Sequence, residues 1–258
     1  MPAATPDISV VIPAFCEEEG IAHTVDSVHG WCQSAGMDFE IIVVDNASTD
    51  GTVAAVEGLG LDRVRVLVNE TNRGKGWSVR RGMAQSQGQL KLHCDADCAP
   101  SLVSLPEMLR LIANGAEVVV GSRLGAGARI GHRQPLMRRI AGSSFQALCR
   151  ILLREPTRDR FCGFKLWTAE AADAVFPALV LDGWTFDAEA LALARALGFS
   201  VTEVGIVWDD REGSRLSMLR VLFPVMRELI TARRNVAAIS VSGRTRAATR
   251  RGTPPSGD

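Results

Sequence analysis

Apolar residues, mostly Val, Ile and Leu, gather in short bursts through the first half of the chain, at 8–13, 39–44, 64–68, 89–94 and 118–120. Near-continuous runs of this length, closed by Pro13 or by an acidic turn after Val44, read as strands buried on both faces. Between them lie segments with apolar residues at helical spacing, at 23–34, 52–59, 76–86 and 102–114. This alternation predicts an α/β domain with a Rossmann-like, mostly parallel sheet flanked by helices. The second half predicts a long amphipathic stretch ending at Leu153, a polar segment at 159–165, a helix at 186–197, a strand at 201–207 and an amphipathic final helix at 216–232. Residues 236–258 are dominated by Ser, Thr, Gly, Pro and Arg and are predicted to form an unfolded, Arg-rich tail, leaving 1–235 as a single domain.

An open parallel sheet binds ligands at the carboxyl ends of its strands, where helix N-termini converge. The polar residues stand at those ends: Glu17, Glu18 and Glu19 after the first strand, Asp45 and Asp50 after the second, Asn72-Arg73-Gly74-Lys75-Gly76 after the third, and Asp95 and Asp97 after the fourth. Asp95-Ala96-Asp97 sets two carboxylates beside a cleft. Hard cations such as Mg2+ or Mn2+ take oxygen ligands of this kind together with water and substrate phosphates. The plainer reading is a strand-end turn with solvated acids. Asp45 can accept from the imide of a uracil or from ribose hydroxyls, whereas Ser48, Thr49 and Asp50 suit capping of the next helix. Glycines flanking Lys75 let the backbone approach a phosphate, with a plain basic turn as the alternative; the spacing is not that of a Walker phosphate loop.

Taken in order, Val10-Val-Ile-Pro-Ala-Phe-Cys-Glu17-Glu18, Ile41-Ile-Val-Val-Asp45, Asn72-Arg-Gly-Lys-Gly76, Asp95-Ala-Asp97, Gly121-Ser-Arg123, Cys162-Gly-Phe-Lys165, Gly183-Trp-Thr-Phe-Asp187-Ala-Glu189 and the segment 208–215 resemble the dolichol-phosphate sugar synthases, family 2 glycosyltransferases with the GT-A fold. The resemblance spans about residues 8–234, and the forms at 72–76 and 95–99 resemble the UDP-glucose-using branch, the dolichyl-phosphate β-glucosyltransferases, more than the mannose branch. It implies a UDP-sugar donor of glucose or N-acetylglucosamine type, a Mg2+ or Mn2+ cofactor and a polyprenyl phosphate acceptor. Residue by residue it implies Pro13 and Glu17 near the nucleotide, Asp45 on the base, and Asp95 and Asp97 around the metal. It also implies Arg123, one of Arg138 or Arg139, and Arg215 around the acceptor phosphate, whose oxygens match guanidinium forks. A solvated helix face is the alternative for Arg138 and Arg139. The chain departs from the family at Phe15-Cys16, where relatives have Tyr-Asn, and at Asn46, where a second Asp is common. It departs again at Ala99, where mannose-type relatives place a Gln able to act as a third metal ligand.

Attack on the anomeric carbon opposite the diphosphate inverts configuration. A polyprenyl phosphate is already anionic and needs no general base, so positioning and charge stabilisation suffice. A neutral hydroxyl of a soluble small molecule, the alternative acceptor, needs a carboxylate to take its proton, and Asp187 or Glu189 is the candidate. Helix capping is the plainer role for that pair. The candidate catalytic set is therefore Asp97, Asp187, Glu189, Arg123 and Arg215, and the donor-binding set Pro13, Glu17, Asp45, Lys75 and Asp95. A non-catalytic nucleotide-sugar binding protein on the same fold is the reading from another class.

Composition adds limits. Twenty-nine basic residues balance twenty-nine acidic ones, so no global field points to nucleic acid. Six cysteines without paired spacing suit a reducing compartment, and Cys94 and Cys98 lack a companion ligand at zinc spacing. The four histidines fall on a helix, in an apolar strand and in a loop. With no signal peptide or membrane-spanning run, the expectation is a cytoplasmic protein, peripheral at most at the inner face of the membrane. Such contact would use the basic amphipathic segment 216–234; core packing or a homodimer contact is the alternative.

Overall fold

The computed structural model describes residues 5–125, 127–130, 136–208 and 225–240. The first half follows the predicted alternation: β1 Ile8–Ala14, α1 Ile21–Ser34, β2 Phe39–Asp45, α2 Thr52–Glu57, β3 Val64–Val68, α3 Lys75–Gln85, β4 Leu90–Cys94, α4 Leu105–Ala113 and β5 Val118–Ser122. The predicted helix at 102–114 begins instead as a 3-10 turn, Ala99–Ser104, with α4 starting at Leu105. The second half adds β6 Arg129–Ile130, α5 Leu136–Leu153, β7 Phe164–Thr168, α6 Ala169–Val175, α7 Phe186–Ala196, β8 Val201–Gly205, β9 Val207–Trp208 and a final helix, α8, at 225–240.

Seven strands form one sheet in the order β3-β2-β1-β4-β7-β5-β8. All neighbours run parallel except β7, which is antiparallel to both β4 and β5. The segment 159–165 reads as polar in sequence, yet its end enters this central strand. Lys165 hides the strand, since a lysine in the middle of a buried run breaks the apolar pattern, and here its ammonium is fully buried on Asp187. The unpredicted α6 follows at once, capped by Thr168, whose hydroxyl accepts from the Ala171 amide at 3.2 Å.

Side chains alternate across the sheet as the pleat requires. Val11, Ile42, Val44, Val118 and Val120 face a core built with α3, α5, α6, α7 and α8, while Val10, Ile12, Ile41, Val43 and Val119 face α1, α2 and α4. On α8, Val225, Leu229 and Ala232 are buried in the first core, and Arg227, Arg233 and Arg234 are exposed. The helix continues through 236–240, with Val236 and Ile239 packed on the core. The start of the predicted tail is therefore corrected: 236–240 are folded, because two apolar residues at helical spacing reach the core. Residues 209–224 and 241–258 lie outside the described residues.

Candidate active site

Chain order reverses between β1 and β4, and this is where the sheet opens to a ligand. A cleft of about 250 Å³ there is lined by Pro13, Glu17, Asn46, Lys75, Asp95 and Asp97, with Ala14, Phe15 and Ala96. Its first wall is two interlocked loops. Cys16 and Ala47 take positive φ, 55° and 62°, and the loop after β1 is sewn to the loop after β2. The Cys16 amide donates to Ser48 Oγ at 2.9 Å, the Glu17 amide to Thr52 Oγ1 at 2.9 Å and the Gly51 amide to Glu18 Oε2 at 2.7 Å. Ser48 thus braces the neighbouring loop instead of capping α2; Asp50 does reach its own helix, accepting from the Thr52 amide at 3.1 Å.

Asp45 ends β2 almost fully buried. Its Oδ2 accepts from the Ser48 amide at 3.1 Å, while Oδ1 is buried without a hydrogen-bond partner. Leaving a buried acceptor unsatisfied is costly, and a donor brought by a ligand would satisfy this one. Asn46 explains its own departure from the family pattern. Its Nδ2 donates to Asn72 Oδ1 at 2.8 Å, and its Oδ1 accepts from Asn69 Nδ2 at 3.1 Å and from the Arg73 amide at 3.0 Å. A carboxylate at 46 has no proton to donate, so the amide ties β2 to the loop that carries Lys75.

Gly74 has φ +97°, and a Cβ there would stand 2.4 Å from the Asp182 carbonyl oxygen. The start of α3 is thereby wedged against the segment before α7, and the Trp77 amide donates to the same carbonyl at 3.1 Å. From this position Lys75 reaches Asp95, Nζ to Oδ1 2.6 Å. Asp95 is held from below: its amide donates to the Gly163 carbonyl at 2.8 Å, and a Cβ on Gly163 would lie 1.9 Å from Asp95 Oδ2. Burial alone would raise the Asp95 carboxyl, but Lys75 reverses this and holds it well below the usual carboxylate range. Burial likewise works against the charge on Lys75, and Asp95, then Asp187 and Asp97, hold its pKa above the ordinary lysine value.

Beneath the cleft lies a buried polar chain that sequence patterning does not reveal. His93 is fully buried with neither ring nitrogen hydrogen-bonded; its Nε2 is 3.8 Å from Asp95 Oδ1 and its Nδ1 4.0 Å from Asp187 Oδ1. Burial pushes the imidazole pKa below its ordinary value. Asp187, also buried, accepts from Lys165 Nζ at 2.5 Å, and Lys165 donates further to the Cys162 carbonyl at 2.6 Å. The only sequence signal for His93 is its place two residues before Asp95, at the end of β4.

Glu189 is not brought to the cleft with these groups. It accepts from the Leu181 amide at 2.9 Å and from Asn235 Nδ2 at 2.7 Å, clamping the segment before α7 to α8. Burial raises its pKa against those donors. Arg123 is engaged by Asp159, giving Nε at 2.7 Å and Nη2 at 2.8 Å, with the ring of Trp208 5.4 Å away. Arg215 and the side chains of Arg138 and Arg139 lie outside the described residues. Among the described residues no three His, Cys, Asp or Glu side chains converge as a metal site. A cation at Asp95 and Asp97 therefore needs ligand oxygens from elsewhere, which a diphosphate and water provide.

The model of glycosyl transferase family 2 matches residues 9–176, which includes every strand end that lines the cleft. The chain belongs to glycosyl transferase family 2. Its relatives include dolichyl-phosphate beta-glucosyltransferases from Drosophila melanogaster and Homo sapiens, 33% and 30% identical, each match covering 82% of this chain and 69% and 70% of the relative. This family 2 member is accordingly a glycosyltransferase. Its fold matches the solved glucosyl-3-phosphoglycerate synthase from Mycobacterium tuberculosis in complex with Mn2+, uridine diphosphate and phosphoglyceric acid, at TM-score 0.69 and 21% identity over 88% of this chain and 78% of that one.

Proposed function

We propose that this glycosyltransferase moves a hexose of glucose type from a UDP-sugar to a polyprenyl phosphate with inversion, using Mg2+ or Mn2+. The observation that carries the reading is the convergence of Pro13, Glu17, Asn46, Lys75, Asp95 and Asp97 in one cleft, with Asp45, whose Oδ1 is unpartnered, next to Asn46 in the chain. That oxygen suits the imide N–H of a uracil. Asp97 would be the chief protein ligand of the cation, joined by Asp95, and the cation would neutralise charge on the departing diphosphate.

What the carboxylates are doing supports this acceptor. Asp187 is bound by a buried lysine and Glu189 by backbone amides, so neither is placed to take a proton from a hydroxyl. An acceptor already anionic needs no such base, and the names of the dolichyl-phosphate relatives support the same choice. A soluble acceptor is the second reading, favoured by α8 turning Val225, Leu229 and Ala232 into the core, although Ile230 on the same helix is exposed. Among the described residues no helix is long and apolar enough to cross a membrane. Contact with anionic headgroups would then rest on Arg227, Arg233 and Arg234.

The test is transfer of labelled glucose from UDP-glucose to a polyprenyl phosphate in detergent, with Mg2+ or Mn2+. A β-linked lipid product is expected, falling by about 100-fold or more in Asp97→Ala. Transfer to hydroxyl compounds with none to the lipid phosphate would contradict the acceptor, and no transfer to either would contradict the reading as a whole.

A further inference from the structure

Lys75 is the first residue of α3, an 11-residue helix, at the end where the macrodipole disfavours a cation. Its side chain is 28% exposed and bound to Asp95, itself 25% exposed, at 2.6 Å. The backbone on both sides of this pair is fixed: Gly74 is wedged against Asp182, and Asp95 is seated on Gly163. The lysine side chain, with four rotatable bonds, is the part able to move. A monovalent ammonium thus occupies the carboxylate oxygen that a divalent ion would take, and it does so beside a helix N-terminus suited to phosphate.

Resting on the cleft's reading as a nucleotide-sugar and cation site, we infer that Lys75 is a place-holding cation. It neutralises Asp95 while the donor is absent, passes to the diphosphate when the donor arrives, and so releases Asp95 to the divalent ion. Donor and cation then bind with positive coupling, and by linkage each strengthens the other by the same factor. No covalent step is involved; Lys75 binds the donor diphosphate and, by leaving Asp95, sets when the ion can bind there. The arrangement keeps the two carboxylates compensated without letting them capture an ion unproductively.

The experiment follows Mn2+ binding to the full chain through the electron paramagnetic resonance of the free ion, with and without UDP and corrected for the UDP–Mn2+ complex in solution. Wild type, Lys75→Met, Lys75→Gln and Arg73→Gln are compared. Arg73 is exposed, its guanidinium 3.3 Å from the Trp77 ring centroid, so Arg73→Gln removes an equal charge from the same loop. Lys75→Met is expected to bind Mn2+ about fivefold more tightly or better without UDP, and to lose the same factor from the enhancement that UDP produces. Lys75→Gln, which keeps a polar side chain beside Asp95 and so guards the fold, shifts the same way by less. Arg73→Gln stays within about twofold of wild type. Equal gains in Lys75→Met and Arg73→Gln would reduce the effect to a general field and overturn the inference, as would an undiminished UDP enhancement in Lys75→Met. A wild type that binds Mn2+ in neither state would overturn the reading of the cleft itself, and the inference with it.

Discussion

At the scale of single residues, close approach governs the cleft more than any one charge does. Gly163 lets the backbone of the segment before β7 lie against Asp95, and any side chain there must displace the carboxylate. Gly163→Ala is expected to lower transfer by about 100-fold, the scale set by displacing a reacting group by about 1 Å. Urea unfolding should show a stability loss of only about 1–3 kcal/mol, the ordinary cost of overpacking. A variant with wild-type turnover would show that Asp95 tolerates movement. The Arg123–Asp159 pair gives a pH signature. Burial opposes the Asp159 charge, but Arg123 outweighs it and lowers the carboxyl below its usual value. A lowered folded-state pKa adds stability that is present above the unfolded value, about 3.9, and is lost as pH falls through the folded one. The acid limb of the thermal midpoint should therefore be shallower below about pH 4 in Asp159→Asn than in wild type. Parallel limbs would mean that the pair is not linked to folding.

At the scale of elements, the strands and helices of the first half are legible because each has one burial pattern and one punctuation mark, such as Pro13 or Asp45. Elements of the second half escape for stated reasons. Lys165 interrupts β7, α6 is too short to show a period, and β6 and β9 are strands of two residues. The site divides in the same way. Strand-end residues such as Asp95 and Asp45 are visible because topology sends ligands there, whereas His93 looks like part of an apolar strand. Glu189 reads as a candidate base because it shares a motif with Asp187; on a helix, two positions apart means opposite sides. The end of α8 is likewise set by packing that composition conceals. Truncation after Asn235 is expected to cost about 1–3 kcal/mol relative to truncation after Ser240, by removing Val236 and Ile239 from the core. Equal midpoints for the two truncations would contradict that assignment.

At the scale of the whole molecule, a neutral chain builds a strongly charged cleft by topology alone. The order β3-β2-β1-β4 brings the ends of β1, β2 and β4 together, and α3, crossing over them, adds Lys75. The central claim is that these ends form one uridine nucleotide site. Calorimetric titration with UDP in the presence of Mn2+, of wild type and Asp45→Ala, tests it most directly. The account predicts that wild type binds UDP at least about tenfold more tightly than Asp45→Ala does, since the variant loses the acceptor for the uracil imide, worth about 1.4 kcal/mol or more. Equal affinity in the two proteins, or binding of UDP no tighter than of inorganic diphosphate, would contradict it.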